Sequence, residues 1–139
     1  MTTVRHVAHA AGSTGTSVAA YRVAIGTGAH QLVADEPTAM GGGDAGPAPF
    51  DLLVSGLVAC TAITLRMYAA RKGWELASLE VDARYDVVDE TREGSIVRTI
   101  TFPHDLPADQ RDRLADLAER TPVTVAVRAG TPITTTVRS

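Results

Sequence analysis

One run of the chain, residues 52–65, contains no charged side chain, and its apolar residues fall on every side of a helical wheel. A helix that is apolar all round has no face left to meet water, so the pattern predicts a buried helix. A membrane span needs about 20 apolar residues, which is more than the uncharged run provides. A β-strand usually has about 5–6 residues, which is fewer. We therefore expect a fold built around one buried helix.

Both ends of this predicted helix carry local signals. Pro49 stands where the first N–H groups of a helix are unpaired, so a proline is tolerated there. Asp51 places a negative charge in the first turn, and Arg71 and Lys72 place positive charges in the last, as the helix dipole favours. Gly73 supplies the left-handed residue that commonly ends a helix. The signals predict a helix that begins just after Pro49 and stops at Gly73.

The only cysteine of the protein, Cys60, lies in the middle of this run. The residues at helical spacings of three, four and seven from it share its face. They are Leu53, Gly56, Leu57, Ile63, Thr64 and Met67. Free cysteine is often a small buried hydrophobic residue, but its reactivity makes Cys60 the first candidate for chemistry.

Composition bounds the class of protein. The chain has 139 residues, of which 45% are hydrophobic and 21% charged, so we predict one domain, residues 1–139, with a genuine core. The net charge of −3 and the lack of a basic run argue against a nucleic-acid partner. A single cysteine cannot form an intrachain disulfide, and no signal-type apolar segment follows Met1. We expect a cytoplasmic protein with no membrane partner.

The N-terminal part reads as a small β-structure. Residues 4–8 predict a short strand, and the small polar residues 11–17 predict a turn or loop. Alternation over residues 21–25 predicts a strand with one apolar face, followed by a turn at 26–28. His30–Ala34 then predicts the returning strand of a hairpin.

Residues 35–49 contain too much glycine and proline for regular structure and predict a loop that leads to the helix. The glycines raise the alternative of an anion cradle, but their spacing does not match a phosphate-binding loop.

The C-terminal half predicts a second hairpin and a second helix. Alternation over residues 79–87 predicts a strand, the polar residues 90–94 a turn, and residues 96–102 the next strand. Leu106-Pro107 opens an amphipathic helix that runs to about Arg120. Residues 132–137 predict a closing strand.

Two positions in this half allow two interpretations each. Arg98 shares its strand face with Ile96 and Ile100, and it is either a rim residue whose head reaches water or a guanidinium aimed into a site. Thr121-Pro122 suits the start of a short helix, with Thr121 as N-cap, whereas the propensities of residues 123–127 favour a strand.

Several blocks of the sequence resemble the OsmC/Ohr family. They are DEP before a glycine-rich loop, GPAPFDLL, LVACTAITLRMYAARKGW and the later ERTPV, in that order from about His30 to the C-terminus. The resemblance implies an α+β fold with antiparallel sheets around a central helix, intertwined as a homodimer. A second chain would also explain how a helix this apolar is covered.

The resemblance further implies thiol chemistry. In the peroxidase members a cysteine on the central helix attacks the peroxide, and a second one in a Cys-Pro-Val segment forms a disulfide with it. The first position corresponds to Cys60 and the second to Thr121, in Thr121-Pro122-Val123. Since a threonine cannot resolve a sulfenic acid, the chain resembles a branch that lacks the second cysteine.

The groups that would activate the thiol also depart from the family pattern. The thiolate is the nucleophile, and Cys60 lies too far along its helix for the first-turn dipole to favour it. In the hydroperoxide branch an N-terminal arginine does so, held by a glutamate ten positions before the cysteine, where this chain has Phe50. Asp51 would point away from Cys60 on an ideal helix. We predict Arg22 as the arginine and Glu36 as the acid.

Two functions follow from these residues. The first is a single-cysteine organic hydroperoxide reductase, acting through Cys60 with an external thiol as reductant. The second is a non-catalytic dimer that binds a small hydrophobic or thiol ligand in its interface pocket. We expect no cofactor, and His6, His9 and His104 show no ligand spacing with Cys60 or with each other that would support a metal site.

Overall fold

The computed structural model describes residues 12–88 and 90–139. The chain divides into two compact units, residues 1–52 and 53–139, with the central helix starting in the first and continuing through the second. The predicted strand at residues 4–8 lies outside the described residues. The expectation of a single domain stays a prediction.

The first unit contains a three-stranded antiparallel sheet in the order β1-β2-β3. The strands are β1 (Ser13–Ala19), β2 (Arg22–Thr27) and β3 (His30–Ala34). Thr27 pairs with His30, so the turn lies at residues 28 and 29, later than the predicted 26–28. The predicted hairpin of β2 and β3 is confirmed.

The prediction of a loop over residues 11–17 is wrong, because residues 13–17 belong to β1. Every side chain of β1 is exposed. Its sequence therefore lacks the alternation of apolar and polar residues that would predict a strand. Its order comes from backbone pairing with β2, from Ser13 opposite Thr27 to Ser17 opposite Val23. Small polar residues pair through their backbone N–H and C=O groups just as apolar residues do.

The segment after β3 is a tight loop with one short 3-10 helix, Thr38–Met40, as its glycine and proline content predicts. Its backbone folds back on itself, with N–H of Asp35 donating to Pro47 O at 3.1 Å. A Cβ at Gly46 would collide with the carbonyl of Val33, so only glycine fits there.

Helix α1, Pro49–Lys72, confirms the predicted central helix and both of its ends. Asp51 Oδ2 accepts the N–H of Ala48 at 3.2 Å. Gly73 adopts a left-handed φ of 70° and donates its N–H to Ala70 O at 3.1 Å. By its length and apolar composition α1 could also cross a membrane. This is weak evidence for a membrane span, because core helices of soluble proteins meet the same two criteria.

The single chain buries only one stripe of α1. The buried residues recur at helical spacing and are Val54, Leu57, Thr61, Leu65 and Ala69. The expectation that every face is covered therefore does not hold within one copy of the chain. The helix is apolar enough to be buried all round, but this chain has only enough packed structure beside it for one stripe.

The second unit packs a β-hairpin and two further helices around that stripe. The elements are β4 (Glu80–Val88), β5 (Glu93–Thr101), α2 (Ala108–Ala118) and α3 (Pro122–Ala129). The hairpin is antiparallel, with Glu80 opposite Thr101 and Val88 opposite Glu93. The core cluster consists of Leu65, Ala69, Leu76, Leu106, Leu114 and Ala118. These elements confirm the predicted hairpin and second helix.

The C-terminal part settles one ambiguity and corrects one prediction. Residues 123–127 are helical, because Thr121 takes the extended N-cap conformation and Pro122 the first position of α3. The strand predicted for residues 132–137 is wrong: this segment has no strand conformation, and Ile133 and Val137 are exposed. A strand needs a neighbouring strand, and in the described part of the chain none pairs with this segment.

Candidate functional site

Cys60 lies on the face of α1 that the chain leaves uncovered. Its side chain is half-buried, and Sγ is 3.9 Å from Thr64 Oγ1. Ile63 and Met67, on the same face, are 58% and 53% exposed. The thiol is therefore accessible within one copy of the chain, and it is surrounded mainly by apolar side chains.

Thr61, the next residue, lies about 100° further round the helix and belongs to the buried stripe of α1. It is fully buried and donates its hydroxyl to Leu57 O at 2.7 Å. The hydroxyl oxygen of Thr61 also accepts a hydrogen bond from Arg98 Nη1 at 3.0 Å. The residue beside Cys60 is thus fixed by a guanidinium from β5.

Arg98 is the centre of a buried polar network rather than a rim residue. Its side chain is only 12% exposed. Nη1 donates to Thr61 and, at 2.8 Å, to Thr124 Oγ1. Nη2 donates to Ala118 O at 3.1 Å and to Glu119 Oε2 at 3.0 Å. A buried guanidinium is tolerable because each terminal nitrogen has two acceptors.

Thr121, which we predict to occupy the second-cysteine position, joins the same network. It is fully buried, and its Oγ1 is 2.6 Å from Thr124 Oγ1. Its side chain makes no capping hydrogen bond, so Thr121 is the N-cap of α3 in backbone conformation only. The route Thr121–Thr124–Arg98–Thr61 connects α3 to α1 at the residue after Cys60. Thr121 is therefore part of a hydrogen-bonded bridge between α3 and α1.

A second arginine converges on the acid of this network. Arg128, in the last turn of α3, donates from Nη2 to Glu119 Oε2 at 3.1 Å and from Nη1 to Glu119 O at 3.0 Å. The two guanidiniums therefore share one carboxylate oxygen. They lie on the wall of a cavity of about 510 Å³, which we call the Arg98 cavity. Its polar lining is Tyr85, Ser95, Arg98, Glu119, Thr124 and Arg128, and its apolar lining includes Leu57, Ile96 and Val127.

The predicted activating residues, Arg22 and Glu36, belong to the first unit, whereas Cys60 and Thr121 belong to the second. Arg22 is exposed at the start of β2, and Glu36 is half-buried after β3, with its backbone oxygen accepting from Asp44 N at 3.1 Å. Their roles toward Cys60 stay predictions.

Asp35, which the sequence analysis passed over, is the organising acid of the first unit. It is buried and accepts the N–H groups of Glu36 at 2.7 Å, Gly43 at 3.2 Å and Ala45 at 3.1 Å. The hydrogen bond from Ala45 is the main cause that holds the pKa of Asp35 below its usual value, against the effect of burial. Glu36, Gly43 and the charge of Arg22 act in the same direction. The signal was its position before a glycine-rich loop, since such loops expose backbone donors.

The described residues contain no group of three or more His, Cys, Asp or Glu side chains able to hold a metal ion.

The sequence predicts only part of the polar network around Arg98. The alternation of side chains along β5 puts Arg98 on the same face as Ile96 and Ile100. Its hydrogen-bond partners, however, lie 20 to 37 positions away along the chain. No local pattern marks Glu119 or Arg128 as its neighbours.

Comparison with solved structures supports the fold. The chain is similar to an OsmC-like protein from Mycoplasma pneumoniae, with TM-score 0.75, 16% identity, and 88% of this chain and 89% of the other covered. It is similar to an organic hydroperoxide resistance protein OsmC from Legionella pneumophila, with TM-score 0.70, 16% identity and coverage of 88% and 92%. It also resembles the organic hydroperoxide resistance protein OhrB of Bacillus subtilis, with TM-score 0.62, 21% identity and coverage of 88% and 93%.

These identities are low, so the structures bear on the fold alone. They confirm the expected α+β fold of antiparallel sheets and a central helix. A comparison with curated proteins finds no match. The family model for OsmC-like proteins matches residues 41–136, which include α1 with Cys60, the Arg98 network and Thr121. The chain belongs to the family of OsmC-like proteins.

Proposed function

We propose that this protein is a single-cysteine hydroperoxide reductase that serves in oxidative stress defence. The observation that carries the proposal is Cys60: it is the only cysteine, and it lies half-buried on an uncovered apolar face of α1. An organic hydroperoxide has an apolar body, which such a face suits. The hydroperoxide resistance named for the similar Legionella and Bacillus proteins supports the same role.

The reaction needs one thiol in the protein and two outside it. The Cys60 thiolate attacks the distal peroxide oxygen, the O–O bond breaks, and the alkoxide takes a proton and leaves as an alcohol. Cys60 is then a sulfenic acid. An external thiol condenses with it, forming a mixed disulfide and water, and a second external thiol releases Cys60 and an external disulfide. Thr121 has no part in these steps.

The thiolate needs a cation, and Arg98 is poorly placed to provide one. Its two terminal nitrogens are engaged by Thr61, Thr124, Ala118 and Glu119 on the buried side of α1. Arg22, with Glu36 holding it, remains the proposed activating pair. A cytoplasmic location, where external thiols are kept reduced, belongs to the same proposal.

A second copy of the chain is the proposed partner. Leu53, Ile63 and Met67 are large apolar residues exposed on one face of α1. Contiguous exposed apolar surface on a helix this hydrophobic indicates an interface. A twofold homodimer would cover the face with the same face or a neighbouring surface of the partner.

One observation favours the alternative, a non-catalytic binding protein. The predicted second-cysteine position holds Thr121, which is fully buried and hydrogen-bonded to Thr124. A threonine hydroxyl has no redox chemistry with a thiol. Such a protein would keep the dimer and use its interface pocket for a small hydrophobic or thiol ligand.

The rate of Cys60 oxidation separates the two functions. Loss of free thiol is followed with cumene hydroperoxide and with hydrogen peroxide across pH, with Cys60→Ser as the blank. At pH 7, a rate at least about a hundred times that of free cysteine would support the reductase, because complete ionisation of a thiol with a pKa of about 8.5 raises its thiolate content only about 30-fold at that pH. A rate no greater than that of free cysteine would exclude it and leave the binding protein.

A further inference from the structure

The Arg98 cavity is a second feature with the properties of a binding site. Its volume of about 510 Å³ lies within the range of small-molecule sites, about 300–1,000 Å³. Its wall contains both charged groups and apolar side chains. Cys60 does not line it, so the reaction proposed above does not account for it.

We propose that this cavity binds a small organic carboxylate with an apolar body. The charged part of the wall already shows the required geometry, because Arg98 Nη2 and Arg128 Nη2 both donate to one carboxylate oxygen, Glu119 Oε2, at 3.0 and 3.1 Å. Guanidinium groups match carboxylates in shape and donor spacing. With two positive charges and one negative, the site has a net charge of +1, which suits a monoanion.

The internal carboxylate can give way to a ligand. The side chains of Glu119 and Arg128 are 58% and 61% exposed, so Glu119 can turn into water when a ligand carboxylate replaces its hydrogen bonds to the two arginines. Arg98 keeps its bonds to Thr61, Thr124 and Ala118 when Glu119 leaves. The incoming carboxylate then takes the place of Glu119 Oε2 between a fixed and a mobile guanidinium.

The apolar body of the ligand is accommodated by the remaining wall. Leu57 of α1, Ile96 of β5 and Val127 of α3 line the cavity. Leu57 is buried and stands one turn before Cys60 on α1. Burial of alkyl surface against these side chains supplies affinity, whereas the arginine pair supplies selectivity for the anion.

Calorimetric titration of the Cys60→Ser protein with octanoate tests the proposal, because thiol chemistry then plays no part. We expect saturable binding at one octanoate per chain and weaker binding of 1-octanol, which has the same chain without the charge. Arg128→Gln should weaken octanoate binding about ten-fold, as expected for the loss of one charge-assisted hydrogen bond. Glu119→Gln should tighten it, because the competing carboxylate is gone.

Arg84→Gln is the matched control, since Arg84 pairs with Asp86 on the exposed part of β4 and does not line the cavity. It should leave octanoate affinity unchanged. The proposal is overturned if octanoate does not saturate, if octanol binds equally well, or if Arg128→Gln binds octanoate like the control. Each of these results is independent of whether Cys60 reduces hydroperoxides.

Discussion

Arg98 donates a 3.0 Å hydrogen bond from Nη1 to the hydroxyl of Thr61, the residue that follows Cys60 on the central helix. This contact joins positions 37 residues apart and links β5 to the buried side of α1. Through Thr124 it extends to Thr121, where the peroxidase pattern would place a second cysteine. Hydrogen bonds thus connect Thr121 with Thr61, the residue next to Cys60.

Replacing Arg98 should destabilise the fold. Arg98→Met keeps much of the apolar stem but leaves Thr124 and the carbonyl of Ala118 without their charged donor. We expect the free energy of unfolding to fall by about 2–4 kcal/mol, as for other broken buried networks. Urea unfolding at one fixed protein concentration measures it.

Arg84→Met is the control for that measurement, because the Arg84–Asp86 pair is exposed. It should change the free energy of unfolding by no more than about 0.5 kcal/mol. Equal effects of the two substitutions would show that the Arg98 network does not stabilise the fold.

Asp35 should make stability depend on pH. Hydrogen bonds from the N–H groups of Ala45, Glu36 and Gly43 lower its pKa from the ordinary 3.8 in the folded state. The carboxylate therefore contributes stability above that ordinary value, and the contribution is lost as pH falls through the lowered folded pKa. The urea midpoint of the native chain should fall across that acidic range.

Asp35→Asn isolates this contribution. The amide nitrogen cannot accept the N–H groups that one carboxylate oxygen accepts from Gly43 and Ala45. The variant should unfold at lower urea than the native chain at neutral pH, and the difference should shrink as Asp35 becomes protonated. A difference that stays constant down to the lowest pH would contradict the assignment.

Gly46 should tolerate no side chain. A Cβ there would overlap the carbonyl of Val33, so Gly46→Ala must displace the loop or β3. We expect a loss of about 1–3 kcal/mol in the free energy of unfolding. Gly26→Ala is the matched control, since a Cβ at Gly26 meets no atom within 4 Å and alanine is favoured by about 0.5–1 kcal/mol in a strand interior. If both variants have the same stability, the close approach at Gly46 is not a constraint.

Thr121→Cys should restore a two-cysteine reaction. If Thr121 stands where the family has its resolving cysteine, one equivalent of cumene hydroperoxide should consume both thiols and leave an intrachain disulfide. Mass spectrometry and thiol counting follow this change. In the control, Thr131→Cys on the exposed segment after α3, only Cys60 should react with the same equivalent. A thiol that survives in Thr121→Cys would show that the two positions do not meet.

Ile63→Glu should disrupt the proposed homodimer. Its side chain is exposed in the single chain, so a carboxylate costs little there, whereas burial between two copies would make it costly. Analytical ultracentrifugation of the native chain should give twice the chain mass, and Ile63→Glu should give the monomer at the same concentration. Ala77→Glu, in the exposed connection after α1, should remain dimeric. A monomeric native chain, or a dimer that Ile63→Glu leaves intact, would contradict the interface.

The parts of this protein that depend on local interactions were predictable from its sequence. The bounds of α1 follow from Pro49, Asp51 and Gly73, which act within one turn of the residues they affect. The alternation in β4 and β5 and the amphipathic pattern of α2 are equally local, because one face of each element packs inward. The ordered motif blocks likewise identified the family from the sequence.

The features that depend on residues far apart in the chain became visible only in the folded structure. β1 is a strand through its pairing with β2 although its own side chains carry no apolar pattern, and residues 132–137 have the pattern without a pairing strand. Arg98 is a buried network centre because Thr61, Thr124 and Glu119 meet it from two other parts of the chain. A buried charge is stable only where enough acceptors converge, and convergence across tens of residues leaves no periodic signal in the sequence.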